Sequence, residues 1–263
     1  MTNHKLHTPM YFFLAKFALS EIVLSTVVIP KFLSILLFKK NTISFGSCFT
    51  QSFFYFLLGT AELILLSVMS YDRYVAICFP LHYMTIMTWK RCVLLAAGCW
   101  FGGFLSISVP TILKLNLLYC GPNRINHFFC DNIPLVALAC ADTRLIRLID
   151  FFLFSLVVLG SLSVIIFTYT CIILTILRIP STIGQNKTLS TCSSHFTTLS
   201  LVYISLVFIY VTPAQGSSLE TNKGMSLLTN FITPVLNPFI MTLRNQQVKE
   251  VLYELIKKYA ITE

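Results

Sequence analysis

The chain has 263 residues, of which 56% are hydrophobic and only 11% are charged, and its mean hydropathy is +0.79. This composition is too apolar for a soluble domain of that length and predicts an all-α membrane protein. The formal net charge is +9, but the basic residues stand singly between apolar stretches. That arrangement fits the flanks of membrane spans and argues against a nucleic-acid-binding protein.

Six apolar stretches are long enough to cross a bilayer as helices, and together they predict one transmembrane domain over residues 1–263. Lys and Arg are more frequent on the side where the second span ends, so this side is predicted to be cytoplasmic. The opposite side carries a long loop with several cysteines, and an amphipathic helix follows the last span. The predicted spans are 8–38, 46–78, 92–113, 145–177, 189–211 and 224–243, with an extracellular loop at 114–144 and the C-terminal amphipathic helix at 245–259.

Several segments in the chain carry a family resemblance. The run MSYDRYVAIC, followed by FPLHYMTIM, resembles the third transmembrane helix and second cytoplasmic loop of vertebrate olfactory receptors, which are rhodopsin-like G-protein-coupled receptors. The runs CGPNRINHFFCDNIPLVALACADT, KTLSTCSSHF and PVLNPFIMTLRN follow in the same order as the family's second extracellular loop, sixth helix and seventh helix. The resemblance implies a rhodopsin-like seven-helix bundle.

The start of the chain differs from that pattern. LHTPMYFFL resembles the family's junction between the first cytoplasmic loop and the second helix. We therefore expect only six spans, equivalent to family helices two to seven, with the first helix and its preceding tail absent. A truncated, non-signalling receptor remnant is one alternative. A six-span transporter or channel is another, although the chain has no visible internal repeat or selectivity-loop motif.

Two carboxylates, Glu21 and Glu62, fall deep inside predicted spans, where an ionisable group is costly unless it is paired or hydrated. Each matches a position at which the family carries an acid. The hypothesis is that they converge, with Asn237 nearby, to hold a sodium ion or share a proton. The alternative is that each is a neutral acid bonded to a neighbouring helix.

The resemblance implies a conformational switch at the cytoplasmic ends of the helices. Asp72 would restrain Arg73 in the idle state, and the freed Arg73 would then pack under a G-protein helix. The alternative is an ordinary surface ion pair. No acid is placed to orient His195 beside the neighbouring serines, so a hydrolase is not expected and the chain is not predicted to be an enzyme. The implied coupling and switch residues are Asp72, Arg73, Tyr74, His195, Asn237 and Pro238, while Met241 stands where the family usually has a tyrosine.

Four cysteines fall in or beside predicted outer segments, where disulfides can form, and their spacing alone allows three pairings. The resemblance implies the pairs Cys48–Cys130 and Cys120–Cys140, which would hold the loop as a lid over a ligand cavity. A zinc site is the alternative, but the spacing of about ten residues is not typical of one. No metal is therefore predicted there.

The expected ligand is a small, largely apolar volatile odorant bound between the outer halves of three spans. The prediction places no acid in the outer part of this pocket, which argues against amines as the principal ligands. The resemblance further implies activation of a stimulatory heterotrimeric G protein, contact with membrane lipid, and location in the plasma membrane of olfactory-neuron cilia. The predicted ligand residues are Tyr55, Phe56, Gly59, Thr60, Leu153, Phe154, Val157, Tyr203, Leu206 and Tyr210.

Overall fold

A computed structural model of the chain describes residues 8–39, 41–211 and 237, without the side chains of 187, 190, 191, 194 and 207–211. The described elements are helical. They are α1 (Pro9–Phe38), α2 (Phe45–Cys78), a 3-10 turn (Pro80–His82), α3 (Tyr83–Ile86), α4 (Trp89–Leu115), α5 (Asn132–Val136), α6 (Arg144–Leu177) and α7 (Thr182–Val211).

Four of these helices, α1, α2, α4 and α6, are long and apolar enough to cross a membrane. They match the first four predicted spans, and α7 covers the fifth with an apolar stretch at His195–Leu206. On α6 the side chains of Phe151 and Phe152 are 71% and 66% exposed, as expected for a surface that faces lipid. The predicted span 224–243 and the amphipathic helix 245–259 lie outside the described residues.

The boundary between the third span and the outer loop differs from the prediction. Helix α4 continues to Leu115, so Lys114 belongs to its last turn and is only 2% exposed. The loop itself is partly ordered by α5, whose N-terminus is capped by the side chain of Asp131 accepting from the backbone N–H of Ile133. Periodicity did not indicate this helix because it has only five residues.

The chain divides into two compact units. One contains residues 19–68 and 93–165 and is called the disulfide unit here, because both disulfides lie in it. The other contains residues 1–18, 69–92 and 166–263 and is called the Asp-Arg unit, after Asp72 and Arg73.

In the disulfide unit, α4 packs closely against α2 at a glycine. A Cβ atom on Gly103 would lie 3.0 Å from the carbonyl oxygen of Leu57 and 3.2 Å from the backbone nitrogen of Ala61. Both distances involve backbone atoms, which cannot move aside as a flexible side chain would. The absence of a side chain at Gly103 therefore allows the two helices to approach each other.

In the Asp-Arg unit, α2 contacts α6 through polar and aromatic side chains. The hydroxyl of Thr168 donates to Ser70 Oγ over 3.2 Å, and both residues are buried. Nearby, the rings of Tyr74 and Phe167 lie 6.1 Å apart. Hydroxyls buried inside an apolar helix pair need such partners, because no water is available to them in the membrane.

Candidate functional site

The outer loop is attached to α2 by a covalent bond and by hydrogen bonds. Cys48 is joined to Cys130 with a Cα–Cα distance of 5.4 Å, and Cys120 is joined to Cys140 within the loop. These are the pairs that the family resemblance implies. Because their sulfurs are consumed in disulfides, the four cysteines are not available as zinc ligands.

Gln51 is a second attachment of the loop that sequence reasoning missed. Its side-chain oxygen accepts from the backbone N–H of Cys130 over 3.2 Å, and its nitrogen donates to the carbonyl of Val27 on α1 over 2.9 Å. The next residue, Ser52, donates a hydrogen bond from its hydroxyl to Asn132 Oδ1. These hydrogen bonds therefore fix the position of the loop segment next to the disulfide along the axis of α2. A polar residue one turn after Cys48 in an apolar span was the available signal.

The predicted ligand residues of α2 lie directly below this loop segment. The ring of Phe129 lies 4.6 Å from that of Tyr55 and 4.6 Å from that of His127, so the loop covers the outer end of the predicted face. Phe56 and Gly59 are half-buried, and Thr60 is buried. A Cβ atom built on Gly59 would meet no atom of the described residues within 4 Å, so the helix surface is open there in the described part of the structure.

The remaining predicted ligand residues belong to α6 and α7. Leu153, Phe154 and Val157 form one half-buried face of α6 in the disulfide unit. Tyr203 and Leu206 are half-buried residues of α7 in the Asp-Arg unit. The side chain of Tyr210 lies outside the described part of the structure.

An ion pair between α4 and α6 was also missed. The Lys114 ammonium lies 2.9 Å from Asp150 Oδ1 and 2.8 Å from Oδ2. The side chain of Lys114 is 2% exposed and that of Asp150 is 29% exposed. The expectation that no acid lies in the outer part of the pocket did not consider Asp150, which stands near the outer end of α6. Asp150 precedes Leu153, Phe154 and Val157 by three, four and seven residues, which places all four on one helical face. That spacing was visible in the sequence.

The two acids in the spans are close enough to interact electrostatically within the disulfide unit. Glu21 is 3% exposed. Glu62 Oε1 is buried without a hydrogen-bond partner among the described residues. Asn237 is fully buried, but it belongs to the Asp-Arg unit, and Pro238 lies outside the described residues.

The Asp-Arg motif ends α2 with one buried and one half-buried side chain. Asp72 is 2% exposed and accepts a hydrogen bond of 2.8 Å from the hydroxyl of Tyr83, while Arg73 is half-buried. Burial raises the pKa of Tyr83, and the negative charge of Asp72 raises it further. Tyr83 therefore remains a protonated donor at physiological pH. Sequence reasoning did not include Tyr83, because its contact with Asp72 depends on the turn that follows α2.

Arg73 is also close to a buried, hydrogen-bonded pair of side chains that joins α6 to α7. The hydroxyl of Tyr169 and Nδ1 of His195 lie 2.8 Å apart, and their rings are stacked. Both side chains interact electrostatically with the positive charge of Arg73. His195 is 3% exposed, and its Nε2 has no hydrogen-bond partner among the described residues. Tyr74, the other predicted switch residue of α2, packs its ring against Tyr71 and Phe79.

Comparison with solved structures identifies the class of protein. The chain is similar to the crystal structure of squid rhodopsin, with a TM-score of 0.75 and 18% sequence identity. The match covers 96% of this chain and 72% of that chain. At this identity the likeness shows the fold, which is a rhodopsin-like helical bundle.

Comparison with sequences identifies the family. The profile described as "Olfactory receptor" matches residues 1–258. Human olfactory receptor 6J1 is 52% identical over 94% of this chain and 72% of its own length, and human olfactory receptor 6T1 is 48% identical over 96% and 78%. Mouse olfactory receptor 6E1 is 48% identical over 98% and 83%. The chain belongs to the olfactory receptor family. It is therefore a multi-pass receptor of the plasma membrane that signals through G proteins, and it is not an enzyme.

Proposed function

We propose that this chain is an odorant receptor that binds a small, largely apolar volatile molecule and activates a stimulatory heterotrimeric G protein. Membership of the olfactory receptor family is the observation that carries the proposal. The ligand would shift the population of two helix packings, so it must contact them differently. Location in the cilia of olfactory neurons and direct contact of the lipid-facing helices with membrane lipid are parts of the same proposal.

The ligand class is argued from the outer face of α2. Tyr55 and Phe56 supply aromatic surface, Thr60 supplies a hydroxyl, and Gly59 leaves open space beside the helix. Phe129 packs on Tyr55 and closes this region on the side of the loop. Such a surface favours a compact apolar molecule that is held by shape and by one or two hydrogen bonds.

The coupling mechanism is argued from the Asp-Arg unit. Asp72 is held by Tyr83, and Arg73 is near the bonded pair of Tyr169 and His195. In the proposed idle state these contacts keep the ends of α2, α6 and α7 packed. Activation would exchange them for contacts with the G protein, which is a change between two discrete packings.

A sodium ion or a shared proton at Glu21 and Glu62 is a further part of the proposal. Two interacting carboxylates in an apolar unit favour binding of a cation or a proton, because that reduces their mutual repulsion. A buried carboxylate oxygen of Glu62 without a described protein partner suits a hard cation such as sodium.

A cell-based assay tests the proposal. The chain is expressed with an epitope tag, its surface level is measured by staining, and cyclic AMP is recorded against a broad panel of volatile molecules. We expect a concentration-dependent rise in cyclic AMP for a subset of compact apolar compounds. Surface-expressed receptor that responds to none of them, or that responds only through other G-protein classes, would contradict the proposal.

Gly59→Leu provides the matched variant. No described atom lies within 4 Å of a Cβ at position 59, so we expect the surface level to stay close to that of the parent. The same side chain occupies the proposed ligand space, so the response to active odorants should fall at least about tenfold in potency. An unchanged response would place the ligand elsewhere.

A further inference from the structure

The ion pair between α4 and α6 has a buried partner and a partly accessible partner. The side chain of Lys114 is 2% exposed, and its ammonium is bonded to both carboxylate oxygens of Asp150. The side chain of Asp150 is 29% exposed. Of the two side chains, that of Asp150 is therefore the one that an approaching molecule can contact.

The position of Asp150 on α6 indicates which way the accessible carboxylate faces. Leu153, Phe154 and Val157 lie on the same side of the helix and are half-buried like Asp150, whereas Phe151 and Phe152 are exposed toward lipid. Residues three, four and seven positions apart share one helical face. Asp150 therefore lies on the same side of α6 as these three predicted ligand residues.

Lys114 sets the chemistry of this carboxylate. The ammonium compensates the negative charge, so the pair as a whole offers little attraction for a cationic amine. Each carboxylate oxygen has two lone pairs, and an interaction with one ammonium leaves some of them free to accept another hydrogen bond. The group suited to this acceptor is a neutral O–H donor. Ketones, aldehydes and ethers carry no such donor.

We infer that Asp150, positioned by Lys114, is the hydrogen-bond acceptor that selects odorants carrying a hydroxyl group, such as aliphatic alcohols and phenols. This inference rests on the proposed function as an odorant receptor. It adds a specificity residue outside the predicted ligand set. The alternative role of the pair is to tie α4 to α6 without touching the ligand.

The first test compares ligands on the unmodified receptor. Medium-chain primary alcohols are applied beside methyl ethers and methyl ketones with the same number of heavy atoms, and cyclic AMP is normalised to surface level. We expect the alcohols to be at least about tenfold more potent, as for the loss of a hydrogen bond to a charged group. Ethers or ketones that are equally potent or more potent would overturn the inference and leave the receptor function intact. Failure of every compound would count against both proposals.

The second test reverses the pair. The double substitution Lys114→Asp and Asp150→Lys keeps two opposite charges between the helices but presents an ammonium, which only donates. We expect potency to move from alcohols toward ketones, which accept hydrogen bonds. A swap that restores the surface level lost in the single variants and leaves the order of ligands unchanged would show a purely structural pair.

Asp150→Asn and Asp150→Glu keep the test decisive if the swap does not reach the surface. Asp150→Glu retains a carboxylate and should keep the preference for alcohols, with a modest loss of potency. Asp150→Asn presents an amide, which both donates and accepts, so the ratio of alcohol potency to ketone potency should fall severalfold. A ratio that is the same in the parent and in Asp150→Asn would overturn the inference.

Discussion

At the scale of single residues, the most informative contact joins Tyr83 to Asp72. The Asp-Arg motif was recognisable in the sequence, but its acid is held by a tyrosine eleven positions further along the chain. The turn at Pro80–His82 returns the chain so that Tyr83 meets the end of α2. A buried carboxylate needs such a donor, because burial without a partner is costly.

Tyr83→Phe should raise the basal activity of the receptor. The substitution keeps the ring and removes a hydrogen bond to a buried carboxylate, which is typically worth about 1.5 to 3 kcal/mol. If this bond stabilises the idle packing, ligand-independent cyclic AMP should increase severalfold at equal surface level. Tyr71→Phe is the matched control, because the ring of Tyr71 is partly exposed at the same end of α2. Basal activity equal to the parent would contradict the assigned role of Tyr83.

Glu62→Gln should remove the proposed effect of sodium on ligand response. The amide retains the size of the carboxyl group but carries no charge to balance a cation. In membranes that contain the parent receptor, replacing potassium by sodium should lower agonist potency, and in the variant the two salts should give the same curve. A sodium effect of equal size in both proteins would remove Glu62 from the proposed ion site.

At the scale of helices, small residues decide how closely α2 and α4 approach. Gly103 lies against the backbone of α2, whereas Gly59, on α2 itself, has no described neighbour within 4 Å of an added Cβ atom. The sequence shows both as glycines in apolar helices and does not distinguish their roles. The distinction depends on which surface of each helix meets a neighbour.

Gly103→Ala and Gly59→Ala should therefore differ in their effect on folding. The added methyl group at position 103 would lie 3.0 Å from a carbonyl oxygen, so the helices must separate and lose contact. We expect a clear decrease in surface level for Gly103→Ala, and a level near that of the parent for Gly59→Ala. Staining of intact cells measures both, and equal levels would show that the contact at Gly103 is not limiting.

The contact between α6 and α7 gives a further prediction at this scale. Tyr169→Phe and His195→Phe each break the same bond, so their effects on basal cyclic AMP should not add. If the bond belongs to the idle packing, each single variant and the double variant should show a similar rise. Ile204→Val controls for a change of size at an exposed position of α7. Additive effects in the double variant would show that the two side chains act separately.

At the scale of the whole molecule, the outer loop is held to the helices by the Cys48–Cys130 disulfide and by Gln51. A cross-link between residues separated by 82 positions removes much of the freedom of the unfolded chain, and loss of a native disulfide typically costs about 2 to 5 kcal/mol. The disulfide also places Phe129 over Tyr55. Stability and the form of the proposed ligand region therefore depend on the same bond.

Cys48→Ser and Cys130→Ser should each greatly reduce the surface level, and the double variant should behave like either single one, because one bond is lost in all three. Cys171→Ser is the control, since that thiol is unpaired on α6. Gln51→Leu should reduce the surface level less, because it removes hydrogen bonds and leaves the covalent link. A double variant that is much worse than the single ones would indicate that the two cysteines have separate roles.

The sequence by itself determined the helical membrane class and the family, and its first four predicted spans coincide with long apolar helices. An apolar stretch long enough to cross a bilayer is expected to form a helix, because every backbone polar group must be hydrogen-bonded within the membrane. The positions of Asp72, Arg73 and the four outer cysteines followed from contiguous motifs, which are readable without a fold.

The tertiary structure alone decided which separate residues meet. Lys114 with Asp150, Gln51 with Cys130 and Tyr83 with Asp72 are partners from different elements. Each pair depends on how the helices are rotated about their axes and on the path of the loop. Hydropathy does not specify either, because a lipid-facing surface and a buried surface are both apolar. The sequence therefore fixes what crosses the membrane, and packing selects the polar contacts inside it.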